Sequence, residues 1–150
     1  IMNLQGDEPA INIEDIISLN KKMVSIQSQM GTLAAKIKDL KDLENENIVK
    51  VITNKNLNND EFSEAKNFLR RSSEIANIYH HIGIYCYSTE TLKKIVELNQ
   101  SKNEIENRLE QLRALDNNIV INVALAKSSP IGVDTKEDYL ALKKIMEYKV

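Results

Sequence analysis

Ile78-Tyr79-His80-His81-Ile82-Gly83-Ile84-Tyr85-Cys86-Tyr87 is the stretch whose reading decides the fold. Aliphatic and aromatic side chains dominate it, and Asn77 and Ser88 bound it, so it reads as the strongest strand of the chain. Alternation puts His81, Gly83, Tyr85 and Tyr87 on one face and His80, Ile82, Ile84 and Cys86 on the other. The second face reads mostly as core, with Cys86 a small buried apolar residue rather than a nucleophile. Adjacent histidines on a strand point to opposite faces, so His80 and His81 do not close on one metal ion. Tyr85 suits either a half-buried packing role or a site role.

Working outward, Thr89 to Leu98 reads as a short helix, and Ser101-Lys102-Asn103-Glu104 is a capping-box pattern opening a helix to about Leu115. On that helix Glu110 and Arg113 have the spacing of a surface ion pair. Ile119-Val120-Ile121-Asn122-Val123-Ala124-Leu125 is a further strand, broken by Ser128-Ser129-Pro130, and Thr135-Lys136-Glu137-Asp138 starts a closing helix to about Tyr148. Upstream, Ile1 to Leu4 reads as a strand, Ile13 to about Gln29 as a helix, Met30 to Ile37 as a strand and Ile48 to Ile52 as another. Asp39 to Asn47 is a short helix or loop. Asn54 to Asp60 carries four asparagines, a turn composition, and the polar segment from Glu61 to Asn77 yields no element and reads as mobile. Strands alternating with helices make this one α/β layered domain over residues 1–150, with a largely parallel sheet.

Composition narrows the function. The 150 residues are 42% hydrophobic and 28% charged, as expected of a globular domain. A net charge of -2 supplies no basic field for nucleic acid or an anionic membrane, and no apolar run is long enough to span a bilayer. A single cysteine excludes an internal disulfide and a cysteine-based zinc site, in keeping with a reducing compartment. The chain opens on Ile1, already in a strand and without a signal-peptide pattern, so its N-terminus reads as cut.

Two short acidic motifs stand at the two ends: Leu4-Gln5-Gly6-Asp7-Glu8-Pro9 and Gly132-Val133-Asp134-Thr135. Each puts a carboxylate just beyond an apolar segment. Strand ends are where open α/β sheets bind ligands, so Asp7 and Asp134 together are suited to hold one hard cation against a phosphate. Taken singly, Gly6-Asp7 is also ordinary turn chemistry and Asp134 an ordinary helix-start carboxylate.

These motifs, with Met30-Gly31-Thr32-Leu33-Ala34, Val49-Lys50-Val51, His81-Ile82-Gly83-Ile84-Tyr85 and Leu109-Glu110-Gln111-Leu112-Arg113-Ala114-Leu115, resemble in order the 3-deoxy-manno-octulosonate cytidylyltransferases, across almost the whole chain. The resemblance implies a nucleotide-diphospho-sugar-transferase-like α/β fold with a mostly parallel mixed sheet, here N-terminally truncated. It implies a Mg²⁺-dependent reaction in which the anomeric hydroxyl of the acid sugar Kdo attacks the α-phosphate of CTP, giving CMP-Kdo and pyrophosphate for lipopolysaccharide assembly. It assigns Asp7 and Asp134 to the metal and to catalysis, and Gln5, His81, Tyr85, Glu110 and Gln111 to the sugar, with Arg70 as a contact to the sugar carboxylate. A cytoplasmic homodimer in a Gram-negative bacterium is implied as well, with no nucleic acid and no membrane insertion.

The sequence departs from the family at three places. The family's N-terminal segment containing Pro-Ala-Arg, which grips the triphosphate, has no counterpart in these residues, so the isolated chain is expected to be inactive. The family's Phe-Ser-Arg with a following Ile-Pro is Phe68-Leu69-Arg70-Arg71-Ser72-Ser73, and its Ser-Pro-Leu-Glu is Ser101-Lys102-Asn103-Glu104. Competing expectations are a cytidylyltransferase for a related acid sugar such as an acylneuraminate, and a non-catalytic module that keeps a sugar-facing half.

Overall fold

The computed structural model describes residues 1–6, 9–129, 133 and 135–147. Among these residues six strands form one sheet: β1 (Met2–Leu4), β2 (Met30–Ala35), β3 (Lys50–Thr53), β4 (Ser63–Leu69), β5 (Ile78–Tyr87) and β6 (Ile121–Leu125). Five helices accompany them among the described residues: α1 (Ile13–Ser25), α2 (Thr89–Glu97), α3 (Lys102–Asn107), α4 (Gln111–Asp116) and α5 (Lys136–Glu147), with a 3-10 turn at Leu40–Leu43.

The decisive stretch is the whole of β5, and it is the hub of the sheet. One edge pairs with β2, from Met30 opposite Tyr87 to Ala35 opposite His80. The other edge takes β1 near its end, Leu4 opposite Ile84, and β3 at its start, Lys50 opposite His80. β6 lies parallel to β2, and β4 bridges β6 to β3, so the pairings β5-β2-β6-β4-β3 return to β5.

The α/β mixed sheet is as expected, with one correction of detail. Strands β1, β2, β3 and β6 share a direction, while β4 and β5 oppose it. Because β5 is inserted between β1 and β2, the β2–β6 contact is the one parallel pairing among the described residues, and the ladders are mainly antiparallel. Alternation of elements along the chain reports strand direction, not which strands become neighbours.

Two apolar layers sandwich β5. α1, capped by the Asn12 side chain accepting from the Glu14 amide at 2.9 Å, lays Leu19 and Met23 over Leu33, Ile82, Ile84 and Cys86. Gly31 makes this close approach possible, since a Cβ there would stand 2.4 Å from Met23 Sδ. The opposite face packs Phe68, Tyr79 and Tyr85 beneath Leu109, Leu112 and Ala114 of the α3–α4 region. Burying a side chain such as Leu19 or Leu112 contributes about 2 kcal/mol. β5 is therefore buried on both sides, whereas one core face was expected.

Two further expectations are corrected. The segment from Glu61 to Asn77 contains β4, whose inward positions Ser63, Ala65 and Phe68 are buried. It is a strand through its pairing with β3 and β6, not through β-favouring composition. The helix expected from Ser101 to Leu115 is two helices, because Arg108 takes a left-handed conformation (φ 54°, ψ 48°) and ends α3.

Candidate active site

The face of β5 carrying His81, Tyr85 and Tyr87 forms the floor of a small chamber, about 90 Å³, near the C-terminal end of the strand. Asn3 and Gln5 of β1 and its exit line one side, and Glu110, Gln111 and Arg113 line the other. Three separate stretches of chain thus bring Gln5, Tyr85, Glu110 and Gln111 to one cavity. His81 is not in its lining but stands directly behind Tyr85, ring centroids 5.5 Å apart.

The floor is fixed by buried neutral groups. Thr32 Oγ1 lies 2.7 Å from the Ile84 carbonyl and 2.9 Å from His81 Nε2. A hydroxyl has one proton and the carbonyl accepts only, so Thr32 donates to Ile84 and accepts from His81. The imidazole therefore carries its hydrogen on Nε2. Burial, with a smaller contribution from the neighbouring His80, lowers the His81 pKa to about 3, so this ring is neutral at physiological pH. Phe68 meets its edge at 5.0 Å, and Tyr87 continues the aromatic row at 6.1 Å from Tyr85. Burial, aided by nearby Glu110, raises the Tyr87 phenol to about 12, and burial raises Tyr85 well above its usual value, so both hydroxyls stay protonated donors.

Gln5 reaches the chamber because residue 83 is glycine. A Cβ there would lie 2.7 Å from Gln5 Oε1, so any side chain would displace the amide. On the opposite wall, Ser101 and Glu104 form the expected capping box, and Glu104 does more. Its buried carboxylate accepts from Arg113 Nε at 2.8 Å and Nη2 at 2.5 Å. The Glu110–Arg113 pair read from helical spacing is therefore replaced by Glu104–Arg113, which leaves Glu110 available to the chamber. The hydrogen bond from Arg113 is the main cause that lowers the Glu104 pKa, with burial opposing it.

Arg70 is elsewhere. Its guanidinium donates to the backbone carbonyls of Asn107 (3.1 Å), Glu46 (2.9 Å) and Arg108 (3.2 Å), outside the chamber lining. His80 also departs from His81, bonding Ser129 Oγ at 2.6 Å. Asp7 and Asp134 lie outside the described residues. Their described flanks leave the same end of the sheet: Gln5 beside Gly83, and Ala126 to Ser129 beside Ala34 and His80.

Sequence reasoning missed Thr32, Lys50 and the pairing of Arg113. Thr32 stood within a quoted motif, but its role depends on a β5 partner 49 residues away. Lys50, fully buried, donates to the carbonyls of Asn45 and Arg70 at 2.7 and 2.6 Å. A charged residue inside a short apolar strand was the one local sign.

Chemically, the chamber offers the amides of Asn3, Gln5 and Gln111, two phenols and the Glu110 carboxylate, a mixture of donors and acceptors matched to a ligand with several hydroxyls. Among the described lining residues Arg113 is the one cation, and Glu104 already neutralises it.

Residues 1–127 match the family model described as cytidylyltransferase. The 3-deoxy-manno-octulosonate cytidylyltransferase of Bartonella henselae is 39% identical over 148 residues, covering 97% of this chain and 60% of that protein. The protein of the same name from Thermodesulfovibrio yellowstonii is 40% identical over 152 residues, with the same coverage. The chain thus spans about 60% of the length of these curated relatives. Among solved structures, CMP:2-keto-3-deoxy-manno-octonic acid synthetase complexed with CTP superimposes with a TM-score of 0.85 at 29% identity, covering 99% of this chain and 62% of that one. UTP-bound UGPase from Acinetobacter baumannii, at 16% identity and a TM-score of 0.60, shares the fold alone.

Proposed function

This chain belongs to the cytidylyltransferase family, and from that premise we propose that the protein activates Kdo with CTP, releasing pyrophosphate and forming CMP-Kdo. The carrying observation is the chamber in which β1, β5 and α4 converge Gln5, Tyr85, Glu110 and Gln111. The matched relatives of 35–40% identity support the choice of sugar by their names.

In this reading the amides and phenols bind sugar hydroxyls, Glu110 accepts from one of them, and neutral His81 holds Tyr85 in place from behind. A polar chamber selects steeply, because a wrong sugar leaves buried donors and acceptors unpaired. Asp7 and Asp134 are proposed as the ligands of Mg²⁺. Carboxylate oxygens suit that ion, and the strands that precede the two residues, β1 and β6, leave the same end of the sheet. When bound, Mg²⁺ would neutralise phosphate charge.

Arg113 is engaged by Glu104, so the described lining residues offer no free cation to grip β- and γ-phosphates. The 150 residues alone are therefore expected not to turn over. The proposed setting is the cytoplasm, and the proposed homodimer is open to sedimentation velocity. Among the described residues no helix is long and apolar enough to cross a membrane.

The test is pyrophosphate release by the complete protein with CTP and Kdo. Turnover is expected, with Asp7→Asn and Asp134→Asn abolishing it and Gln111→Ala raising the KM for Kdo far more than that for CTP. Turnover with an acylneuraminate and none with Kdo would move the substrate; none with any acid sugar would end the reading.

A further inference from the structure

We propose that Arg70 is a positioning residue of the sugar site, one that holds the left-handed corner at Arg108 and through it Glu110 and Gln111, without touching the sugar. The inference rests on the reading of the chamber given above.

Three of the five N–H groups in the Arg70 fork are accounted for by carbonyls, each at 2.9 to 3.2 Å. Two of those carbonyls, of Asn107 and Arg108, sit where α3 ends, and a helix end leaves such oxygens without an intrahelical donor. Arg70 supplies the donors there. Two residues later the chain delivers Glu110 and Gln111 to the chamber wall, with Leu109 between them and the corner, 4% exposed in the core. Any rotation at Arg108 therefore moves both wall side chains.

The fork is itself held. Lys50 Nζ donates at 2.6 Å to the Arg70 carbonyl and at 2.7 Å to that of Asn45, and the Lys50 side chain is fully buried. The third guanidinium bond, to Glu46, ties the fork to the loop that Lys50 also anchors. A continuous chain of contacts thus runs from β3 through Lys50 and Arg70 to the corner. A lysine at position 70 has no planar fork to span three carbonyls.

A carboxylate ligand and a positioning strut make different predictions. In the complete protein, Arg70→Ala should raise the KM for Kdo about tenfold while leaving that for CTP within about twofold, since a displaced wall weakens orientation on one side only. Inhibition by the alcohol made by reducing the Kdo carboxylate should weaken by the same factor, and added guanidinium ion should restore part of the loss. Amide exchange across residues 107–111 should quicken in Arg70→Ala and, to a smaller degree, in Arg70→Lys. If the alcohol inhibits wild type and Arg70→Ala equally while Kdo use falls, Arg70 reads the carboxylate and the proposal is overturned. Unchanged exchange at 107–111 in both variants overturns it as well. Should Arg70→Ala not fold, Arg70→Lys carries the same measurements. Exchange also separates this proposal from the substrate assignment: a wild type inert towards Kdo removes the sugar, while faster exchange at the corner still establishes the strut.

Discussion

The floor and the wall of the chamber are built on different physics. The floor is β5, whose side chains are held by neighbouring strands through neutral contacts: Thr32 on His81, His81 on Tyr85, Phe68 on His81. The wall is the α3–α4 corner, held by ions: Arg70 on three carbonyls, Glu104 on Arg113. The floor inherits its geometry from a sheet that forms anyway. The wall depends on a few charged groups from distant parts of the chain, and should fail first when one is removed.

The largest effect should follow Arg113→Ala. Glu104 is 2% exposed, and its carboxylate would lose its principal partner. Leaving one member of a buried pair uncompensated costs about 3 kcal/mol, readable as a shift of the urea midpoint. A loss below about 1 kcal/mol would show that the wall does not depend on this pair.

The same division explains what could be read from the sequence. β5 was legible in full because burial on both faces leaves a stretch rich in aliphatic and aromatic residues, with no Asp, Glu, Lys or Arg in it. The capping box at Ser101 and Glu104 was legible because its partners are three residues apart. β4 was not: Ser63-Glu64-Ala65-Lys66-Asn67 has no β-branched residue, and it extends because β3 and β6 offer it hydrogen bonds. The break at Arg108 was hidden too, since neither glycine nor asparagine marks the left-handed position. Of the candidate site, the motifs named the residues that the chamber gathers, but Arg70 and Arg113 have partners that only the folded corner brings near.

Thr32→Val probes the floor and should cost about 2 kcal/mol, because the His81 Nε2–H then loses its acceptor in a buried place. Thr32→Ser should recover most of it in the same thermal melts. If valine were neutral, the floor would be held by packing alone.

Burial, mainly, holds folded His81 at about 3, against about 6.5 when unfolded. Between those values the unfolded chain binds a proton that the folded chain does not. Stability from this group is therefore intact above about pH 6.5 and falls as the pH drops toward 3, by up to about 1.4 kcal/mol per pH unit. His81→Phe keeps a ring against Phe68 and should flatten that slope in urea titrations at successive pH values; an unchanged slope would place the protonation elsewhere.

The smallest effect tests the corner at its strained point. Arg108 is exposed and has φ 54°, a region in which a side chain crowds its own carbonyl. Its backbone carbonyl, not its side chain, receives Arg70, so Arg108→Gly keeps the strut and removes the strain. The glycine also loosens the unfolded chain, which offsets part of the gain and leaves about 0.5 kcal/mol of stabilisation. Arg108→Val should go the other way by about 1 kcal/mol or more, because a β-branched residue resists the left-handed region most strongly. The sign difference between the two variants is the measurement. If glycine and valine moved the melting temperature together, the corner would not be left-handed in solution, and Glu110 and Gln111 would reach the chamber by another route.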